Sequence, residues 1–221
     1  MDKNANAGKI KTENLRRFDR PASEQTKYKH GSKFPIKDGR PGNLISPVHK
    51  YFMFENKGPP TSDSMNSFCN EVVNFAAACM NERSNGTFHA GISESGIIIG
   101  CEIDVTSVDS TITKAIRQQF KDYQVETVLR CVRCPQFIEV VGSSQTQEKI
   151  NVIEIDVIPY SGVVGNQNFY VINTNKLNTI HIFYRYLNGE VMKQNASEVD
   201  EFIEREKKLQ LSKGRKIDQK R

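Results

Sequence analysis

No stretch of this 221-residue chain approaches the roughly 18 consecutive apolar residues of a membrane span. Its first residues, Met1–Arg17, carry charges and amides where a signal peptide has an apolar core. We therefore expect neither a spanning segment nor a secretory leader, and no membrane among the partners. Cysteine is scarce and odd in number, five in all, and Cys69 and Cys79 fall on an apolar helix face. That usage excludes a disulfide scaffold and points to a reducing, cytoplasmic compartment, where the Asn85-Gly86-Thr87 and Asn195-Ala196-Ser197 sequons stay unglycosylated. Cys131 and Cys134 form a lone Cys-x-x-Cys without a second pair, which argues against zinc, and no internal repeat is visible.

Lys and Arg number 31 against 26 Asp and Glu, a net charge of +5, which favours an anionic partner without requiring one. The cations crowd residues 1–40, where branched aliphatics are few. Too little apolar area is available there to offset ordering, so the segment is expected to be largely disordered or to lie along the domain surface.

The most informative stretch is 64–100. Met65, Phe68, Cys69, Val72, Val73, Ala76, Cys79 and Met80 recur at three- and four-residue spacing, which predicts a buried helix capped at Asp63 or Ser64 and stopped at Asn85-Gly86. Thr87–Ile92 reads as a strand, Ser95-Gly96 as a turn and Ile97–Cys101 as the hairpin partner. Downstream, Asp109 or Ser110 would cap a second helix with Ile112, Ala115, Ile116, Phe120 and Tyr123 on its apolar face and Lys114, Arg117 and Lys121 elsewhere. Val125–Arg133 reads as a strand; Gln136–Val141 and Ile150–Ile158 as an antiparallel hairpin; Phe169–Asn173 and His181–Leu187 as further strands. The expected fold class is α+β: a mixed or antiparallel sheet packed with two main helices, plus a helix at 191–212 and a basic tail at 213–221.

Asn70-Glu71-Val72-Val73, Phe75–Asn81, Asn85-Gly86-Thr87, Gly91-Ile92 and Ile99-Gly100 together resemble the divergent Alba-like module of the Schlafen superfamily. The resemblance extends to Gly42–His49, Phe137–Val140, Ile153–Pro159 and Phe183-Tyr184-Arg185, placing the module at 41–190. Its closest likeness is to the effector region of the antiviral proteins that carry a sterile alpha motif.

That resemblance implies structured-RNA cleavage by clustered acids holding Mg²⁺ or Mn²⁺, one acid in a Glu-Phe-Lys motif and one ending a Gly-Val-x-Asp strand. Here Gly91-Ile92-Ser93-Glu94 supplies the second acid as Glu94. For the first, two registers stay open. One puts Lys50-Tyr51-Phe52 at the motif, with Lys50 ion-paired to Glu94 in place of a metal; the other puts Glu55-Asn56-Lys57 there, making Glu55 and Glu94 the catalytic and metal-binding pair. The nucleic-acid contacts of the antiviral proteins fall on Phe52, Ser67 and Asn74, none of them cationic. The remaining basic candidates for binding nucleic acid are Lys50, Lys57, Arg83, Lys114, Arg117, Lys121 and Arg185, with His49 and His89 as possible neighbours of the acids. Three readings follow: a module binding RNA or DNA through the backbone with no cofactor; a metal-dependent endoribonuclease; and a catalytically dead scaffold for other protein chains of an antiviral complex.

Overall fold

A computed structural model describes residues 15–34, 47–55, 58–142, 149–174 and 178–218. Helix α1, Ser62–Glu82, forms the centre of the fold, with an unbroken run from Phe75 to Asn81 buried. A helix buried all round packs on more than one side. One side meets a five-stranded sheet built from β1 (Tyr28–Lys29), β2 (Val48–Phe52), β3 (Gly86–Ala90), β4 (Gln136–Val141) and β5 (Asn151–Val157), in the order β1-β4-β5-β3-β2. The other meets an antiparallel sheet of β6 (Tyr170–Thr174), β7 (Thr179–Leu187) and β8 (Glu190–Gln194). Helices α2 (Val105–Gln119), α3 (Asp122–Cys131), the single turn α4 (Ser161–Val164) and α5 (Ala196–Asp218) complete an α+β fold. The five-stranded sheet is mixed: β1 and β4 are parallel, as are β2 and β3, while β5 runs antiparallel to both β4 and β3.

The start of α1 is set two or three residues earlier than the sequence suggests, with Thr61 as its cap. The Thr61 hydroxyl accepts the Ser64 N–H at 3.3 Å, satisfying one of the helix's free donors. Its stop is Arg83, held left-handed at φ 55°. Gly86 is a glycine for another reason: a Cβ there would sit 2.5 Å from Cys79 Sγ and 2.6 Å from Phe75 Cζ, so its missing side chain lets β3 approach α1.

The structure departs from the sequence reading in the segment after Gly100. Residues 97–101 contribute isolated bridges, Ile92 to Ile98 and Cys101 to Asn151, and no hairpin ladder. Helix α2 begins at Val105 because Asp104 Oδ1 accepts the Thr106 N–H at 3.0 Å. It ends at Gln119, so Tyr123 falls on α3 and is 69% exposed, not on the apolar face of α2. Val125–Arg133 is mainly helix: Gln124, Val125, Val128 and Cys131 are its buried face, at helical spacing.

Strand β5 is buried along its whole length on both faces. Ile153, Ile155 and Val157 join Phe88 and the α1 side chains in the main core. Val152, Glu154 and Asp156 point the other way, as period-two alternation requires. That second face is covered by residues 15–34, whose Tyr28 and Phe34 pack with Ile92, Ile98, Ile138, Val140 and Val152 in a smaller core. The segment crosses the sheet as a strap: Tyr28 pairs with Val140, Gly31 N–H donates to Ile98 O at 2.8 Å, and Phe34 N–H donates to Gly96 O at 2.7 Å. A stretch too poor in apolar residues to fold alone is ordered by a few deep anchors.

Candidate functional site

Strand register brings the polar residues of the covered face together. Gln136, Glu154, His89 and Tyr51 stand side by side across β4, β5, β3 and β2, and Asp156, Thr87 and His49 form the adjoining row. Into this array the strap inserts Arg16. Its guanidinium forks onto Asp156, Nη1 to Oδ2 and Nη2 to Oδ1 both at 2.7 Å, while Nε reaches Glu154 Oε2 at 2.5 Å. The three side chains are 2–3% exposed. A planar fork suits such a paired geometry, which a lysine point charge could not reproduce.

The remaining lone pairs of the two acids are also used. Asp156 accepts from Thr87 Oγ1 at 2.7 Å and from the Asp19 N–H at 2.9 Å. Glu154 Oε1 accepts the Tyr28 hydroxyl at 2.7 Å and His89 Nδ1 at 3.0 Å. His89 Nε2 lies 2.9 Å from His49 Nδ1. The two imidazoles thus continue the chain of polar contacts from Glu154 to the edge of the sheet at β2. Phe34 closes the array, its ring centroid 4.8 Å from that of His89.

Burial, with His89 beside it, lowers His49 to about 4. Burial acts to raise Glu154, but the charge and hydrogen bond of His89, the Arg16 charge and the Tyr28 hydroxyl outweigh it and hold the carboxyl at about 2. Both values lie below the ordinary ones of about 6.5 and 4.3, so in acid the unfolded chain binds more protons and stability falls with pH. The loss is expected to begin near pH 6.5 through His49 and to finish near pH 2 through Glu154. Urea midpoints measured from pH 8 to pH 3 check this; a midpoint that stays flat down to pH 4 contradicts a buried, neutral His49.

The acids singled out by resemblance lie elsewhere. Glu55, beyond the end of β2, and Glu94, in the Ser93–Gly96 turn, are both exposed. Among the described residues no group of three or more His, Cys, Asp or Glu side chains is placed to hold a metal ion. The acids that do lie together have their acceptor positions filled by Arg16, Tyr28, Thr87 and His89. These residues do not fit a Mg²⁺ or Mn²⁺ site. Lys50 ion-pairs with Glu71 of α1 at 3.7 Å, not with Glu94. His49 and His89 do adjoin an acid, but it is Glu154. The sequence reading placed none of Arg16, Glu154 and Asp156 at a site; the one available signal was a pair of acids two apart among the branched apolar residues of Val152–Val157.

The basic candidates separate into engaged and free. Arg83 donates to the Met80 carbonyl and, at 2.7 Å, to the Gln167 carbonyl. Arg185 pairs with Glu82 and stacks 4.5 Å over the Phe202 ring. Lys57 lies outside the described residues. Lys114 is exposed, and Arg117, 57% exposed, has a single ion pair at 3.4 Å to the still more exposed Glu126. Lys121 lies 5.9 Å from the ring centroids of both Tyr123 and Tyr170.

No family model matches the chain. It is 38% identical over 125 residues to Sterile alpha motif domain-containing protein 9 of Homo sapiens, a match covering 54% of this chain and 8% of the relative. It is likewise 38% identical over 137 residues to Sterile alpha motif domain-containing protein 9-like of Mus musculus, covering 59% and 9%. The Homo sapiens 9-like protein is 35% identical over 135 residues, covering 58% and 8%. The chain thus spans under a tenth of the length of these relatives. Among solved structures, the DIP2311 protein of Corynebacterium diphtheriae aligns over 79% of this chain and 26% of its own, at 15% identity and a TM-score of 0.36. A likeness that low carries no argument.

Proposed function

We propose that this chain is a Schlafen-type, Alba-like module of an antiviral or translation-control protein, acting in the cytoplasm, and that it binds RNA or DNA through the phosphate backbone without a cofactor. The observation that carries the reading is the division among its cations. Arg83 and Arg185 are engaged within the fold, whereas Lys114 and Arg117 stand exposed one turn apart on α2 and Lys121 follows just past its end. Exposed Tyr123 beside Lys121 adds an aromatic face on which a base can stack. The antiviral context rests on the resemblance of the 64–100 block and on the three relatives.

Charge reversal tests it. In Lys114→Glu/Arg117→Glu/Lys121→Glu, affinity for tRNA and for a 20-base-pair duplex is expected to fall about 100-fold, with the slope of log affinity against log salt reduced by about 3. The fold should survive, since these side chains bury little. Wild-type binding that ignores salt, or no binding at low salt, defeats the reading. Cleavage of tRNA in Mg²⁺ or Mn²⁺ that disappears in Glu94→Ala would replace it with a nuclease.

A further inference from the structure

A cleft lies where α1, α2 and the β6–β7 pair meet, and its rim is built almost entirely of neutral amides. Asn70 and Asn74 stand one turn apart on α1, Gln118 and Gln119 follow one another on α2, and Asn173 comes from β6. Tyr184 lines it too, over a floor containing buried Val171 and Ile182. Among the described residues no Asp, Glu, Lys, Arg or His lines the cleft, so its described lining offers nothing to neutralise a phosphate or carboxylate and no charge for a metal ion.

An amide presents a donor and an acceptor in one plane, the arrangement that complements the edge of a nucleobase, and a tyrosine ring supplies a face for stacking. Gln119 Nε2 donates to Asn70 Oδ1 at 2.8 Å, which fixes that pair. The side chains of Asn74, Gln118 and Asn173 make no hydrogen bond among the described residues, so their amide donors and acceptors are free to meet a ligand. Position adds a second argument. Lys114 precedes Gln118 by one helical turn, and Lys121 lies 5.9 Å from the ring of Tyr170, the residue before Val171 on β6. A strand whose phosphates follow the α2 cations therefore carries its bases past the mouth of the cleft.

We propose that this cleft receives one unpaired base of a single-stranded RNA, reading its edge through Asn74, Gln118 and Asn173 against Tyr184, with adenine preferred because its N6 and N7 form a donor–acceptor pair that one amide can engage. The proposal deepens the nucleic-acid reading and rests on it. Backbone cations supply affinity, and the amides supply discrimination between bases.

The test measures twelve-nucleotide A, U and C oligomers at several salt concentrations against three proteins. The wild type is expected to favour the A oligomer about tenfold. Asn74→Ala/Gln118→Ala/Asn173→Ala should lose that preference with its salt slope unchanged, while Lys114→Glu/Arg117→Glu should lose slope and affinity but keep the ranking of bases. Equal affinities for the three oligomers in the wild type, or an amide variant indistinguishable from it, overturn the proposal. Adenosine alone, titrated while the Asn and Gln side-chain amide resonances are followed, tests the cleft without the backbone. Shifts confined to the rim residues support it even if no oligomer binds, an outcome that defeats only the backbone reading. No shifts overturn the cleft even if oligomers bind.

Discussion

Arg16→Ala is expected to destabilise the protein by about 3–5 kcal/mol, the range for removing one partner of a fully buried charge pair. The guanidinium is the one strap group that reaches both Glu154 and Asp156, and burial excludes water as a replacement. The Arg16 pKa is raised even though burial opposes its charge, because the Asp156 hydrogen bond and both carboxylates favour the charged form. Without it, Glu154 and Asp156 share a dry face of the sheet with no guanidinium between them. The pH dependence should change sign as a result. The wild type loses stability as pH falls, but the variant's uncompensated acids take up protons more readily when folded, so its deficit should shrink between pH 7 and pH 5. Urea midpoints of both proteins at the two pH values measure this. Limited proteolysis adds a local readout, since a strap without its anchor should be cut within 15–34 before the sheet is. Adding Glu154→Gln and Asp156→Asn to Arg16→Ala should recover part of the loss. A cost below 1 kcal/mol, or a deficit that grows in acid, would mean the cluster does not hold the strap.

How far the sequence was legible follows from which forces were local. The period of α1, the Gln136–Val141 and Asn151–Val157 strands and strands β6 and β7 of the second sheet read through hydrophobic spacing, and the α+β class followed from them. Helix α3 did not, because Val125, Thr127 and Val128 are β-branched and their strand propensity masked a three-residue spacing that tertiary packing exploits. Strand β8, with the burial pattern of an exposed edge, has too few apolar residues to announce itself. Glu154 and Asp156 misled for a different reason. Ile153–Val157 alternates apolar and acidic residues, the pattern of a strand with one solvated face, and nothing local says that a distant strap covers the second face. Arg16 lies 138 residues from Glu154, so no motif spacing joins them. At the amide cleft, Asn70, Gln118 and Asn173 come from three elements and become a site only once α1, α2 and β6 are assembled. Their types carry no charge or metal signature to draw attention in the linear chain.

Gly91→Ala is expected to cost about as much as loss of the strap's arginine, about 3–5 kcal/mol, through backbone alone. Gly91 ends β3 at φ +92°, a region that side chains rarely enter. The space is closed as well. A Cβ would meet Gly100 Cα at 2.9 Å, Gly100 C at 3.0 Å and Asn151 O at 3.2 Å, all main-chain atoms that cannot rotate aside. The Gly91 carbonyl accepts the Ile99 and Gly100 N–H groups at 2.9 and 2.8 Å, and the Gly91 N–H donates to Phe52 O at 2.9 Å. Displacing it therefore loosens β2, β3 and the 97–101 crossing together. Gly142→Ala provides the comparison: φ is +84° but nothing among the described residues lies within 4 Å, so only conformational strain of about 1–2 kcal/mol is expected. The difference between the two urea-unfolding free energies isolates the cost of the close backbone approach. Equal costs at the two positions would show that 91 and 100 can move apart, and that the crossing is not what holds the covered face of the sheet closed.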